Sequence, residues 1–406
     1  MQFSVDQNRL WQSHMDMARI GAAPGDGSNR PALSLVETEA KALLIRWTEP
    51  LGLTLHRDGI GNIFLHRPGT EDRPAIAFGS HLDTVPTGGR FDGVFGVLAG
   101  LEVVRALHGV TLAAPLELVV WTNEEGSRFA PAMMGSRVHA GTLPLDRALM
   151  TRDDAGTTVA EALADSYQIG FGTPGPRRWA YWIEAHIEQG PVLEAGGVDI
   201  GIVTGTVQAR YFQLTIEGEP SHVGPTTMDR RQDSLAAAAE MILAAERIGL
   251  GGEPGGRSSA AWIQNFPNVR GAVPNRTLLH VDVRHEDETR AHAMETELLA
   301  ELHAIAARRR VRLTVDPYAT FGPVRFDPAL GTILRDAAAA RQLSTRDIVA
   351  SAGHDSVLIA PLCPSAMLFI PSRGGITHNP AEYSSPEQIA RGAQVLLDAV
   401  VKLATS

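Results

Sequence analysis

Ala75-Ile76-Ala77-Phe78-Gly79-Ser80-His81-Leu82-Asp83-Thr84-Val85 is the stretch on which the fold turns. Its opening residues are apolar or glycine without a break, the signature of a strand buried on both faces. It ends on a histidine and a carboxylate two residues apart, and Gly88-Gly89-Arg90-Phe91-Asp92-Gly93 brings a second aspartate eleven residues after His81. Leu116-Glu117-Leu118-Val119-Val120-Trp121-Thr122-Asn123-Glu124-Glu125-Gly126 repeats the pattern of strand, donor side chains and glycine. Between the two runs, Val94 to Leu107 reads as a largely apolar helix that must be covered on most sides. Apolar strands separated by helices imply an α/β fold, a sheet with helices on both faces. In such sheets ligands gather at the carboxyl ends of the strands, where these donors fall.

A chain of 406 residues, 44% hydrophobic and 20% charged, builds an ordinary soluble core and has two domains as its natural expectation. A formal charge of −10 argues against nucleic acid or an anionic membrane as the main partner. Arg308-Arg309-Arg310 closes a helical pattern and reads as a solvated terminus suited to the helix dipole. The single cysteine, Cys363, excludes an internal disulfide and reads as a core filler. Met1 to Asp6 lacks the regions of a signal peptide, and no apolar run reaches membrane-spanning length. Together these point to a cytoplasmic protein.

Along the chain, Leu35 to Trp47 has helical spacing, and Leu53 to His66 reads as a hairpin turning at Asp58-Gly59 or Gly61-Asn62. From about Ala209 the rhythm changes. Tyr211 to Ile216 alternates as a half-exposed strand, followed by an alanine-rich helix, Leu235 to Ile248. Two strands (Ala260 to Asn265, Thr277 to Val283), a long helix (Glu288 to Arg308) and a strand (Val311 to Val315) complete a ferredoxin-like order. Strand–helix character returns with Pro328 to Ala340, Ala366 to Ile370 and Pro386 to Leu403. The expected organisation is a catalytic domain of 1–208 and 323–406, interrupted by an inserted α+β domain of 209–322.

His81, Asp83, Asp92, the Glu124–Glu125 pair, His186 and His378 are the candidate site residues. A lone histidine at a strand end is more often a satisfied core residue. The His-x-Asp spacing changes the odds, because residues i and i+2 of a strand share a face, so Asp83 is expected to accept from the second ring nitrogen of His81. Asp92 precedes a helix and reads either as its N-cap or as a metal ligand. Two adjacent carboxylates at a strand exit repel, and metal binding by one relieves this and leaves the other as general base. In Trp182-Ile183-Glu184-Ala185-His186-Ile187-Glu188-Gln189-Gly190 the alternation alone describes an amphipathic strand. His378 follows a buried strand and a flexible loop, while His14, His56, His66, His108, His139, His280 and His303 read as surface or packing residues. His354 reads as a support to the site. Histidines, carboxylates and water suit a pair of divalent cations among zinc, manganese, cobalt and nickel, and predict a metal-dependent hydrolase.

Gly-Ser-His-Leu-Asp-Thr-Val (79–85), Asn-Glu-Glu-Gly (123–126), Glu-Ala-His-Ile-Glu-Gln-Gly (184–190) and His-Asn-Pro-Ala-Glu (378–382), in that order, resemble the hydantoinase/carbamoylase amidohydrolases of the M20 metallopeptidase superfamily. The resemblance runs from Gly21-Ala22 and Arg30 to Ser34 through Glu382. It implies a zinc-peptidase-like catalytic domain with a central mixed sheet, and an inserted lid and dimerisation domain. It makes Asp92 the bridging ligand, with His81 and His186 on one metal and Glu125 and His378 on the other. Glu124 becomes the general base and Asp83 the partner of His81. His222, in Ser221-His222-Val223-Gly224-Pro225, matches the histidine that the lid domain contributes to the scissile carbonyl, usually across a homodimer. Gln189, Arg284, Asn275 and Gly353 fall at substrate-binding positions, with Arg284 as carboxylate clamp.

This sequence departs from the family's pattern in two places. Gly271 stands thirteen residues before Arg284, where asparagine is common, so its hydrogen bond is missing or supplied by Asn268 or Asn275. Val223 to Met228 differs from the usual lid run. Both bear on substrate choice. The implied reaction is cleavage of the carbamoyl C–N bond of a small carboxylate such as an N-carbamoyl-L-amino acid. Allantoate or β-ureidopropionate are alternative substrates. An aminoacylase or dipeptidase acting on N-acyl amino acids is the alternative that Gly271 keeps open, though His186 and Gln189 speak against it, and the intact donor set speaks against a retired scaffold.

Overall fold

The computed structural model describes residues 3–170 and 177–405, so Met1 and Gln2 of the N-terminal reading lie outside the described residues. Contacts divide the chain into two units, Met1–Thr204 with Arg325–Ser406, and Gly205–Val324.

The first unit is built on an eight-stranded mixed sheet. Its order is Thr345–Ala350, Ile200–Thr206, Ser365–Ile370, Trp179–Ile187, Ala75–His81, Leu116–Trp121, Ile63–Arg67 and Thr54–Arg57. The four central strands run parallel, with Phe369 opposite His186, Phe78 opposite Ile183 and His81 opposite Trp121. Every residue of Ala75–His81 and of Leu116–Trp121 is buried, as their mainly apolar sequences require, and the one charge among them, Glu117, accepts from Arg177 and Trp179 at 2.9 and 2.6 Å. Helix Val94–Ala106 is buried from Val94 through Val104 and lies in one core with Gln7–Arg19, Leu35–Thr48, Pro328–Ala340 and Pro386–Thr405. The opposite face carries Phe64, Trp121, Trp179 and Trp182. Glu184 and His186 are as buried as Ile183 and Ala185, so the alternation in this segment does not mark a solvent face. The expected hairpin is present, its turn set by Asp58 Oδ1 accepting from the Ile60 and Asn62 amides at 3.2 and 2.9 Å.

The second unit has four antiparallel strands in the order Arg257–Phe266, Arg276–His285, Gln208–Glu217 and Arg312–Phe321. Helices Ser234–Gly251 and Glu288–Arg309 share a core with this sheet through Met241, Ile248, Leu298 and Leu302 against Leu214, Ile216 and Val281. Asp233 and Asp287 cap these helices with their side chains. The arginine cluster is the solvated helix end it was read as, with Arg308 and Arg310 exposed, and it also carries ion pairs. Arg308 and Arg309 pair with Glu240 on the other helix, and Arg310 adopts a left-handed cap with φ 58° and donates to the Arg231 carbonyl at 3.2 Å. Cys363 is half-buried against the tryptophan cluster, and burial pushes its thiol up to about 11. No helix among the described residues is long and apolar enough to cross a membrane.

Candidate metal centre

Four neighbouring parallel strands stop at His81, Trp121, Ile187 and Ile370, and their last residues and the segments leaving them carry the donors. His81 Nδ1 lies 3.0 Å from the Asp83 carbonyl oxygen, and His186 Nδ1 lies 2.9 Å from the Ile187 carbonyl oxygen. A carbonyl only accepts, so in both rings Nδ1 is the protonated nitrogen and Nε2 offers its lone pair. Those lone pairs meet the same carboxylate atom. Asp92 Oδ1 is 3.7 Å from His81 Nε2 and 3.1 Å from His186 Nε2. Both Nε2 atoms turn to the one carboxylate oxygen, with only the Gly93 amide, 3.2 Å from His186 Nε2, donating among them, an arrangement that a proton or a cation must complete.

The other oxygen of Asp92 faces a second set. Oδ2 is 3.3 Å from His378 Nε2, which is itself 3.2 Å from Glu125 Oε2. The structure thus groups His81, Asp92 and His186, and separately Asp92, Glu125 and His378, each with candidate ligand atoms within 4.8 Å of one another. Glu125 Oε1 is buried with no hydrogen-bond partner among the described residues. Glu124 belongs to neither group, its Oε2 lying 3.5 Å from His81 Nε2. Burial, then the charges of Asp355, Glu125, Asp83 and Asp92, push Glu124 well above the carboxylate range. Burial would raise Asp92 too, but the His186, His378 and His81 rings around it hold it well below that range. The donor set, the fixed tautomers and the orphaned Glu125 oxygen fit divalent cations.

Two expectations change here. Asp83 meets His81 through its backbone carbonyl, while its carboxylate stands 3.7 Å off and accepts from the Glu124 and Glu125 amides, both at 3.2 Å. The strand ends at His81, so the i, i+2 rule no longer governs where the Asp83 side chain points. Asp92 is not the N-cap of its helix: Gly93 holds that position, without a side-chain cap bond. Only glycine suits it, since φ is 65° and a Cβ would stand 2.4 Å from the His81 ring.

Gln189 Nε2 donates to Asp92 Oδ2 at 2.8 Å, and Thr377 Oγ1 is 3.0 Å from the same atom. Glu382, 2% exposed, accepts from the Phe91 and Asp92 amides at 2.8 and 3.1 Å and faces Thr377 Oγ1 at 3.1 Å. Burial and the charge of Asp92 push Glu382 up to about 7. In the sequence Glu382 is only the end of a motif, and its place four residues after His378 was the available signal. Glu184 (accepting from Ser80 and Ser356) and Arg30 (donating to the Leu82 carbonyl at 2.8 Å) also brace the strand ends; both lie in the matching motifs, but no role was read for either. Gly353 is half-buried beside His354, whose ring lies edge-on to His186 with centroids 4.5 Å apart.

His222, Asn275 and Arg284 belong to the second unit. His222 is exposed, and its Nδ1 accepts from the Gly224 amide at 3.1 Å, so the neutral ring carries its hydrogen on Nε2. The strand Ser221–His222 pairs with Ala272–Val273, which sets Gly271 beside the histidine, with no atom within 4 Å of where its Cβ would stand. Arg284 Nε donates to Asp282 Oδ2 at 2.6 Å while its guanidinium lies over the Tyr211 ring. Asn275 is half-buried, its amide donating to the Phe266 carbonyl at 3.2 Å.

The profile of peptidase family M20/M25/M40 matches residues 77–402, a span that holds both donor groups and the second unit. The chain belongs to that family. Within it, the M20 chain is 38% identical over 403 residues to the N-carbamoyl-L-amino-acid amidohydrolase of Rhizobium meliloti, covering 98% of this chain and 97% of that protein. It is 34% identical to the allantoate amidohydrolase of Bacillus subtilis, over 96% of this chain and 95% of that one. A crystal structure of a hydantoinase/carbamoylase family amidase from Burkholderia vietnamiensis superimposes with a TM-score of 0.97 at 41% identity, over 99% and 98% of the two chains. The hydantoinase/carbamoylase resemblance drawn from the motifs is met, as is the α/β fold with a central mixed sheet.

Proposed function

We propose that this M20 amide carbon–nitrogen hydrolase holds two divalent cations about Asp92 and removes the carbamoyl group of a small carboxylate of the N-carbamoyl-L-amino acid kind. One observation carries the reading: the two oxygens of Asp92 face different histidines, His81 and His186 on one side and His378 on the other, and Glu124 stands beside His81 while belonging to neither group. His81 and His186 would hold one cation, Glu125 and His378 the other. When bound, such a pair lowers the pKa of water and polarises a carbonyl, whichever of zinc, manganese, cobalt or nickel the cell supplies.

Glu124 takes the proton of the attacking water and returns it to the leaving nitrogen, and its raised affinity for protons suits both transfers. The Asp83 carboxylate holds the amides of Glu124 and Glu125 and so fixes where the base stands. His222, with its hydrogen on Nε2, donates to the oxyanion that develops on the carbonyl. Arg284, oriented by Asp282 and Tyr211, takes the substrate carboxylate, and Gln189, Asn275 and Gly353 complete the substrate contacts. An N-carbamoyl amino acid gives the amino acid, ammonia and carbon dioxide.

His222 acts across a homodimer formed through the inserted unit. Arg257–Phe266 is an edge strand that exposes Trp262 and Ile263, and Leu243 and Leu250 are exposed on helix Ser234–Gly251, a face suited to a second copy of the chain. A second substrate, allantoate, is favoured by the similarity to the Bacillus subtilis allantoate amidohydrolase.

The test is a panel of N-carbamoyl-α-amino acids, β-ureidopropionate, allantoate, N-acetyl amino acids and dipeptides, run after reconstitution with each metal. N-carbamoyl-L-amino acids should show the largest kcat/KM. Faster turnover of the N-acetyl or dipeptide series would overturn the assignment, and a preference for allantoate would select the second reading.

A further inference from the structure

Glu382 is a buried carboxylate that the chemistry above does not use. No cation of the chain pairs with it among the described residues, and burying a carboxylate beside Asp92 is costly unless its neighbours need it. Its contacts say what for. Oε1 takes both the Phe91 and the Asp92 amides, and Gly89 lets the carboxylate approach, since a Cβ there would stand 2.1 Å from Oε1. Oε2 faces the hydroxyl of Thr377, which lies 3.0 Å from Asp92 Oδ2. One side chain therefore grips the backbone of the shared ligand and, through Thr377, its outer oxygen. It does so from the loop that carries His378.

We infer that Glu382 is a positioning residue for the half of the centre formed by Asp92, Glu125 and His378, setting the loop of Asp92 against the loop of His378. The inference rests on the two-cation reading. The two halves depend on it unequally. His81 and His186 are fixed by their own strands and carbonyl partners. His378 sits on a loop with φ 50°, and what fixes its distance from Asp92 is the clamp of Glu382 and Thr377. A glutamine at 382 keeps an acceptor for the two amides and a donor for the threonine oxygen, whereas alanine keeps neither.

The measurement is stepwise cobalt(II) binding to the full chain, followed by calorimetry and by the visible absorption of the bound ion, on wild type, Glu382→Gln, Glu382→Ala, Thr377→Ser and Thr377→Val. Loss of a partner that orients a ligand weakens a metal by about 10–100-fold. Glu382→Ala should weaken the second ion by that factor and leave the first within about threefold, with Glu382→Gln restoring most of the loss. Thr377→Val should weaken the same ion less, and Thr377→Ser should restore it. Wild-type affinity for both ions in Glu382→Ala overturns the inference, as does equal weakening of both. So does a glutamine variant as impaired as the alanine one, which would make the charge, not the grip, the cause. Wild-type protein that binds only one ion overturns the two-cation reading itself, and is seen before any variant is made.

Discussion

The two halves of the centre share Asp92 and little else. His81 and His186 leave neighbouring parallel strands, are 2% and 1% exposed, and have their tautomers fixed by carbonyls of their own segments. His378 lies on a loop, is 49% exposed, and reaches Asp92 and Glu125 across segments far apart in sequence. The first half is part of the sheet's construction and exists once the strands are paired. The second is closed by tertiary contacts, chiefly those of Glu382 and Thr377. A centre made this way should have a rigid half that also supports the fold and an open half that admits and exchanges its ion.

The largest effect expected separates holding cations from using them. Glu124→Gln should lower kcat by about 10²–10⁴-fold, the range of a lost general base, while metal analysis finds both halves filled. Near-normal turnover would remove Glu124 as the base. Next, His186→Ala and His378→Ala should each cost one ion, but with different consequences for the fold. His186 Nε2 accepts from the buried Gly93 amide at 3.2 Å, so its loss leaves that amide and the Ile187 carbonyl unpaired. The cost is about 1–3 kcal/mol, read by urea denaturation of the metal-free proteins. His378→Ala should leave that stability within about 0.5 kcal/mol, as exposed substitutions do. Equal losses would erase the contrast between the halves.

The last effect concerns the support beneath the buried half. His14 packs between Phe91 and Phe95 with neither ring nitrogen hydrogen-bonded among the described residues, and burial pushes it down from 6.5 to about 3. The unfolded chain then binds a proton that the folded chain refuses. The neutral ring's contribution to stability is complete above pH 6.5 and is lost as pH falls toward 3, at about 1.4 kcal/mol per pH unit. His14→Leu should flatten that part of the acid limb in denaturation measured between pH 7 and 4. An unchanged slope would place the acid sensitivity elsewhere.

How much of this was legible follows the same division. The strands ending at His81 and Trp121 are mainly apolar, so their burial and their exits could be read from their composition, although the buried Glu117 could not. The ferredoxin-like order of the second unit was legible because its strands alternate and its helices are long. What periodicity cannot carry is where a side chain points once the strand has ended. Asp83 turns to the amides of residues 124 and 125, and Asp92 turns away from its helix to the histidines. Glu382 meets Phe91 almost three hundred residues earlier in the chain, a contact only the closed fold creates. The helices of residues 134–139, 145–150 and 159–165 are too short for a helical repeat to declare itself. The ion pairs of the arginines at 308 and 309 were not legible because their partner, Glu240, lies on a different helix.

The account stands or falls on cations at both oxygens of Asp92. Anomalous diffraction from crystals of the metal-loaded protein, collected on either side of the metal's absorption edge, tests this directly. Two peaks are predicted, one among His81, Asp92 and His186 and one among Asp92, Glu125 and His378, the second weakening first when crystals are soaked in chelator. A single peak, or peaks remote from Asp92, would contradict it.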